Sequence, residues 1–188
     1  GCICCTLQDT FMKQICDIAN NNKIERILVE ASGISDPSAI SAGFIEYQKM
    51  GLCKNVYLDS IVCVVDADRI YAEFLEDLKD TDNTHTEQDP DIINLVMDQI
   101  ECCNTILLNK CDLLPSNAIE QVCRTIRILQ KDADIVKCIQ GKVNPDRIFQ
   151  NHKFASIFFV QFFICICRIN IFHICLRKCK ISGSTEII

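Results

Sequence analysis

Positive charge is what this chain most plainly lacks. Its 188 residues carry 19 Lys+Arg against 25 Asp+Glu, a formal net charge of −6, with a pI near 5.0. A non-specific nucleic-acid binder needs a basic face, so a nucleic-acid partner is not expected. Tryptophan is absent, no low-complexity tract or internal repeat occurs, and no secretory leader is expected at Gly1. The composition, 49% hydrophobic and 23% charged, is that of a globular chain and not of a disordered one. The length suits one domain of ordinary size with a short appendage.

Cysteine is the outlier, at 15 residues. Such density marks disulfide scaffolds in short secreted chains, but this chain is longer and has long periodic apolar segments. Most of its cysteines sit singly within apolar runs, such as Cys63 in IVCVVD, Cys123 in EQVCRTI and Cys138 in IVKC. There they read as small buried hydrophobes in a reducing, cytoplasmic compartment.

The chain divides at Lys153. Residues 1–153 carry 15 Lys+Arg and 24 Asp+Glu; residues 154–188 carry 4 Lys+Arg and one Glu. In the first part, strand and helix signals alternate. Leu7, Phe11, Ile15 and Ile18 have helical spacing, and ERILVEA is a buried strand. Residues 35–51 form a helix opened by Asp36-Pro37 and closed by Gly51. SIVCVVDA is a second strand, 68–79 a helix, 79–90 a polar loop and 91–102 a helix. CNTILLNKCDL holds a third strand, 115–132 a helix opened by Pro115-Ser116, and ADIVKC a fourth strand. This order predicts an α/β fold with a parallel sheet and helices on both faces. Ligands in such sheets bind at the carboxyl ends of the strands. The informative residues are therefore Glu30 to Gly33, Asp66 to Asp68, and Asn109 to Asp112.

Asn109-Lys110-Cys111-Asp112 leaves a buried apolar run. A carboxylate there can accept from both guanine N1–H and the exocyclic amine, a donor pair adenine does not offer. The Asn amide can meet the purine edge, and the Lys stem can lie over the ring. Without a ligand, the same residues would form a polar strand-to-helix turn. Glu30 suits outer-sphere contact with a nucleotide-bound Mg²⁺. Gly33 lets a backbone N–H approach a terminal phosphate. Asp36-Pro37 is equally well explained as a helix cap.

Cys2, Cys4 and Cys5 place three thiols within four residues, just before a helix. Thiolates favour Zn²⁺, Cu(I) and related ions. Three sulfurs plus a water or outside ligand would make an open tetrahedral site suited to passing a metal on. The alternative is a run of buried or disulfide-prone cysteines.

Together, GCICCTL, ILVEASGISDP, IVCVVDA and DQIECCNTILLNKCDL, in this order, resemble the CobW family of metal-handling GTPases related to HypB and UreG, over residues 1–153. The resemblance implies a partial P-loop NTPase domain, Rossmann-like and three-layered, with a mainly parallel sheet. It also implies GTP, Mg²⁺ and a cargo of Zn²⁺ or Co²⁺ delivered to a metal-dependent client protein. Carried over by position, Cys2, Cys4 and Cys5 match the family's metal motif. Glu30 and Gly33 match its Mg²⁺ and switch element, and Asn109, Lys110 and Asp112 its guanine element. Two departures accompany the likeness. No Gly-x-x-x-x-Gly-Lys-Ser/Thr occurs in the chain, since Gly141-Lys142 is followed by Val143. The phosphate-cradling amides and the Mg²⁺-binding hydroxyl are thus missing. The tail after Phe154 also does not resemble the family's smaller C-terminal domain. The expectation is a family fragment, inactive as a GTPase in this form. The alternatives are a non-catalytic thiolate metal binder or the product of a broken gene.

The hydrophobic, Cys-rich tail 154–188 admits three readings. Phe154–Cys167 is 14 residues, short of the roughly 20 that span a bilayer, and extending it brings in Gln161, Arg168, Asn170 and His173. It could instead be an unfolded extension, or lend a strand or helix to the sheet. His85 and Glu87, in the acidic loop, read as solvated residues more than as auxiliary ligands.

Overall fold

A computed structural model describes residues 5–20, 24, 26–33, 35–53, 56–76, 90–149, 160–167 and 185–187. Among these residues are six strands: β1 (Arg26–Ser32), β2 (Val56–Asp66), β3 (Thr105–Asn109), β4 (Asp134–Lys137), β5 (Val160–Cys167) and β6 (Thr185–Ile187). The α-helices are α1 (Cys5–Ala19), α2 (Pro37–Lys49), α3 (Ala67–Tyr71), α4 (Pro90–Cys102), α5 (Ser116–Leu129) and α6 (Pro145–Phe149). The strands form one sheet in the order β4-β3-β2-β5-β1-β6, and every pairing is parallel. The expected α/β fold is therefore the observed one.

Strand order explains where the helices lie. From β1 through β2 and β3 to β4, the chain steps across the sheet in one direction. Right-handed crossovers taken in one direction all fall on one face. Accordingly, residues of α1 to α5 (Met12, Ile15, Ile40, Phe44, Ala67, Ile70, Ile100, Val122, Ile126) join one core with Ile27, Val29, Cys63, Val65, Ile106 and Leu108. The step from β4 back to β5 runs the other way. Its helix, α6, meets the opposite face, where Ile148 packs with Leu28, Val62, Leu107, Val136 and Cys138. All five residues of β3 are buried, as a continuous apolar run in a parallel sheet requires.

Local signals set several boundaries. The Asp36 side chain accepts from the Ser38 N–H at 2.8 Å and caps α2, with Pro37 in the first turn. At the other end, Gly51 takes φ 76°. The Gly51 N–H bonds the Gln48 carbonyl, and the Leu52 N–H the Tyr47 carbonyl, a Schellman arrangement. β2 begins four residues earlier than its apolar core suggests. A register shift between Leu58 and Ser60 lets both Val56 and Ile61 belong to the same core. The expected 68–79 helix is α-helical only to Tyr71 and continues as a π-helical turn to Glu76. The expected loop before Pro90, with His85 and Glu87, lies outside the described residues.

Of the three readings of the tail, the described residues match strand-lending. β5 pairs with β1 over seven residues and with β2 over eight, counting Arg26↔Gln161 to Ser32↔Cys167 and Val56↔Val160 to Val64↔Cys167. Cys63 and Cys138 are buried and outside any disulfide, as expected, and Cys123 is half-buried. Cys16 and Cys53, by contrast, form a disulfide. Among the described residues, no helix is long and apolar enough to cross a membrane.

Candidate functional site

Parallel strands bring their carboxyl ends to one edge of the sheet. There the register sets Asp66, the last residue of β2, beside Asn109, the last residue of β3. The chain leaves β3 through Lys110 in a left-handed conformation, φ 61° and ψ 32°. That geometry is uncommon outside glycine and costs energy the surroundings must offset. The Lys110 ammonium meets the Asp66 carboxylate at 2.5 Å. The other Asp66 oxygen accepts from the Arg69 N–H and caps α3. A partly exposed ion pair of this kind contributes little to stability, of order 0–1 kcal/mol. Its effect is to fix the direction of the lysine stem.

Asn109 is 2% exposed. Its Oδ1 accepts the Gly141 N–H at 2.9 Å and faces the Cys138 thiol at 3.6 Å. Gln140 and Gly141 both have positive φ, so the turn after β4 curls back under the end of β3. The Cys138 N–H donates to the Leu108 carbonyl at 2.8 Å and continues the β3–β4 ladder past Lys137. Asp112 lies in the short 3₁₀ turn Cys111–Leu113 and is exposed. Burial pushes the neighbouring Cys111 thiol up from its ordinary pKa. The structure thus gathers Asn109, Lys110 and Asp112 at one corner. Asn109 is a structural tie, Lys110 is pre-aimed, and Asp112 is accessible.

The other expected residues sit across the seat of β5. Glu30 is the fifth residue of β1, inside the run ERILVEA, and the strand continues to Ser32. It is half-buried, at the register level of Val62. Gly33 leaves β1, and its carbonyl accepts from Gln99 Nε2 at 3.0 Å. The same amide nitrogen donates to the Ser35 carbonyl at 3.1 Å. Gln99 is 4% exposed, so a buried amide of α4 fixes the loop that opens α2. Ser38 hydrogen bonding holds the Asp36 carboxyl below its ordinary pKa.

Cys2 and Cys4 lie outside the described residues. Cys5 is the first residue of α1, and its side chain lies outside them as well. Among the described residues, no three His, Cys, Asp or Glu side chains gather in a metal-binding group. Asp66 stands among the informative strand-end residues of the sequence without a stated role there, whereas Gln99 and the 138–141 turn do not stand among them. A signal existed for two of them. Asp66 ends an apolar run, and Gln99 is a polar residue set within the apolar face of a helix.

Comparison with known proteins agrees with this geometry. Residues 1–137 match the family described as CobW/HypB/UreG, nucleotide-binding domain. The chain is 32% identical over 150 residues to the zinc-regulated GTPase metalloprotein activator 1 of Dictyostelium discoideum, covering 76% of this chain and 31% of that protein. It is 34% identical over 118 residues to the protein of the same name from Saccharomyces cerevisiae, covering 61% and 27%. It is also 30% identical over 129 residues to the zinc chaperone CobW of a Sinorhizobium species, covering 65% and 36%. The chain therefore spans about a third of the length of these relatives. No solved structure matches it. A family match over most of the chain, joined to the strand-end motifs at one edge of a parallel sheet, makes this chain a member of the CobW/HypB/UreG family.

Proposed function

We propose that this chain is the guanine-nucleotide-binding core of a GTP-dependent metal chaperone that carries Zn²⁺ or Co²⁺ to a client protein. The observation that carries this reading is the corner at the end of β3. Lys110 is aimed by Asp66, Asn109 is locked to Gly141, and Asp112 is left accessible beside them. Asp112 would accept from guanine N1–H and its amine, and the Lys110 stem would lie over the ring. Glu30 and Gly33 would face the phosphates. Glu30 would hold a water of bound Mg²⁺, and the Gly33 N–H would approach the terminal phosphate. When bound, Mg²⁺ would neutralise phosphate charge. Cys2, Cys4 and Cys5 would hold the cargo metal. The functional unit would be residues 1–153, with the tail 154–188 lending β5 and β6 to its sheet.

Phosphoryl transfer depends mainly on positioning and charge stabilisation, and these 188 residues contain no Gly-x-x-x-x-Gly-Lys-Ser/Thr loop. The chain alone is therefore expected to hydrolyse GTP negligibly. Mg²⁺-dependent turnover by the purified chain, abolished by Glu30→Gln, would overturn that expectation. The same missing loop favours a second reading, a thiolate metal binder without nucleotide turnover. Base choice separates the two. Titration with fluorescent guanine, adenine and xanthine nucleotides should show guanine preference, and Asp112→Asn should shift that preference to xanthine. A mismatched buried donor costs on the order of 1–3 kcal/mol. Equal affinity for adenine and guanine nucleotides would leave the metal binder as the better reading. Metal stoichiometry after dialysis, for the reduced chain against a Cys2/Cys4/Cys5→Ser variant, tests the thiols. One equivalent should be lost, and binding should weaken as pH falls because protons compete for thiolate.

A further inference from the structure

We propose that Cys16 and Cys53 form a reversible thiol–disulfide site that fastens α1 to the exit turn of α2. The pair is joined across 37 residues of sequence, with Cα atoms 5.4 Å apart. Each partner is placed by its own surroundings. Cys16 lies in the last turns of α1, whose residues Met12, Ile15 and Ala19 are buried in the main core. Cys53, 2% exposed, follows the turn that Gly51 creates with its positive φ. The two sulfurs are therefore held together by the fold and not by chain proximity. Cys63, Cys102, Cys103, Cys111, Cys123 and Cys138 stand outside any disulfide.

Accessibility sets the order of reaction. Cys16 is partly exposed and Cys53 is enclosed, so a small disulfide such as oxidised glutathione reacts first at Cys16. The Cys16 thiolate attacks one glutathione sulfur, forming a mixed disulfide and releasing one glutathione thiolate. The Cys53 thiolate then attacks the Cys16 sulfur and releases the second. The two protons lost by the protein thiols end on the two glutathione thiols. Two protein thiols and one oxidised glutathione thus become one protein disulfide and two reduced glutathiones.

The consequence falls on α1. One polar tie already joins it to α2, the Tyr47 hydroxyl donating to Asp9 Oδ1 at 3.0 Å. Cys16 lies two turns further along the helix. Oxidation adds a covalent tie there, and reduction removes it. Because α1 begins at Cys5, the pair governs how firmly the helix that carries Cys5 and follows Cys2 and Cys4 in sequence is anchored. The thiol chemistry itself is independent of any nucleotide.

The test uses the full chain in reduced and oxidised glutathione buffers, quenched with N-ethylmaleimide and mapped by mass spectrometry. The oxidised sample should yield a peptide linked through Cys16 and Cys53, lost on adding dithiothreitol and absent from Cys16→Ala and Cys53→Ala. Hydrogen exchange within residues 5–19 should be about tenfold slower in the oxidised chain. Both readouts come from the unaltered protein, so a variant that fails to fold does not remove the test. Maleimide on both cysteines after oxidation, cross-links from Cys16 to other cysteines in equal yield, or identical exchange of α1 in the two buffers would each overturn the proposal.

Discussion

At the β3–β4 side of the strand-end edge, a turn is held by a neighbour in the same ladder. Asn109 ends β3 and grips Gly141, four residues past the end of β4. At the β1 side, the loop from Gly33 to Ser35 is held by Gln99, reaching from α4 more than 60 residues later in the chain. The first arrangement is part of the sheet and forms with it. The second depends on a helix docking correctly against another layer. Between the two sides runs β5, which separates β1 from β2. The β3–β4 side is thus built by local ladder geometry, while the β1 side is assembled through tertiary contacts.

Replacing Asn109 breaks that contrast most sharply. Asn109→Ala would leave the buried Gly141 N–H without its acceptor and open a small void. A loss of about 3 kcal/mol is expected in urea denaturation, large for a residue that sequence patterns assign to base recognition. Gln99→Leu keeps the volume but removes the donor for two carbonyls. The expected loss is about 1–2 kcal/mol, with faster hydrogen exchange confined to residues 33–36 and none at 138–141. Exchange that rises equally at both places would show that the two sides are not independent.

A smaller effect should depend on pH. The Asp36 carboxyl is held below its ordinary pKa of 3.8, chiefly by the Ser38 hydroxyl. The folded state thus binds that proton less tightly than the unfolded state does. The cap's contribution is fully present above pH 3.8 and is lost as pH falls through the lower folded value. Asp36→Ala should cost about 1 kcal/mol near neutral pH. The difference from the parent should vanish in the most acid buffers in which both still fold. Least affected should be Asp112→Ala, at under about 0.5 kcal/mol, because the side chain is exposed. A stability loss as large as that of Asn109→Ala would mean Asp112 is structural and not free to read a base.

Much of the fold is legible in one sequence because its signals are local. The run Thr105–Asn109 is apolar throughout and is a fully buried strand. Asp36-Pro37 and Gly51 mark the two ends of α2, since a cap and a left-handed residue act within a turn of the helix. The strand-end motifs are legible for the same reason, because each lies at or just past the end of an apolar run. Boundaries are less legible where local signals compete. β2 starts early because a register shift hides its alternation, and Glu30 lies inside β1 because Ala31 and Ser32 extend the ladder.

The sequence by itself determined the α/β order, the strand-end motifs and the absence of a phosphate-loop pattern, since each is written in adjacent residues. Only the tertiary structure decided that Asn109 is a tie, that Asp66 aims Lys110, that Gln99 holds the Gly33 loop, and that Cys16 meets Cys53. It likewise decided that Val160–Cys167 runs between β1 and β2. Each of these joins residues far apart in the chain or on different elements. Hydrogen bonds, thiols and strand edges carry no sequence mark of their partners, which are selected only when packing brings the elements together.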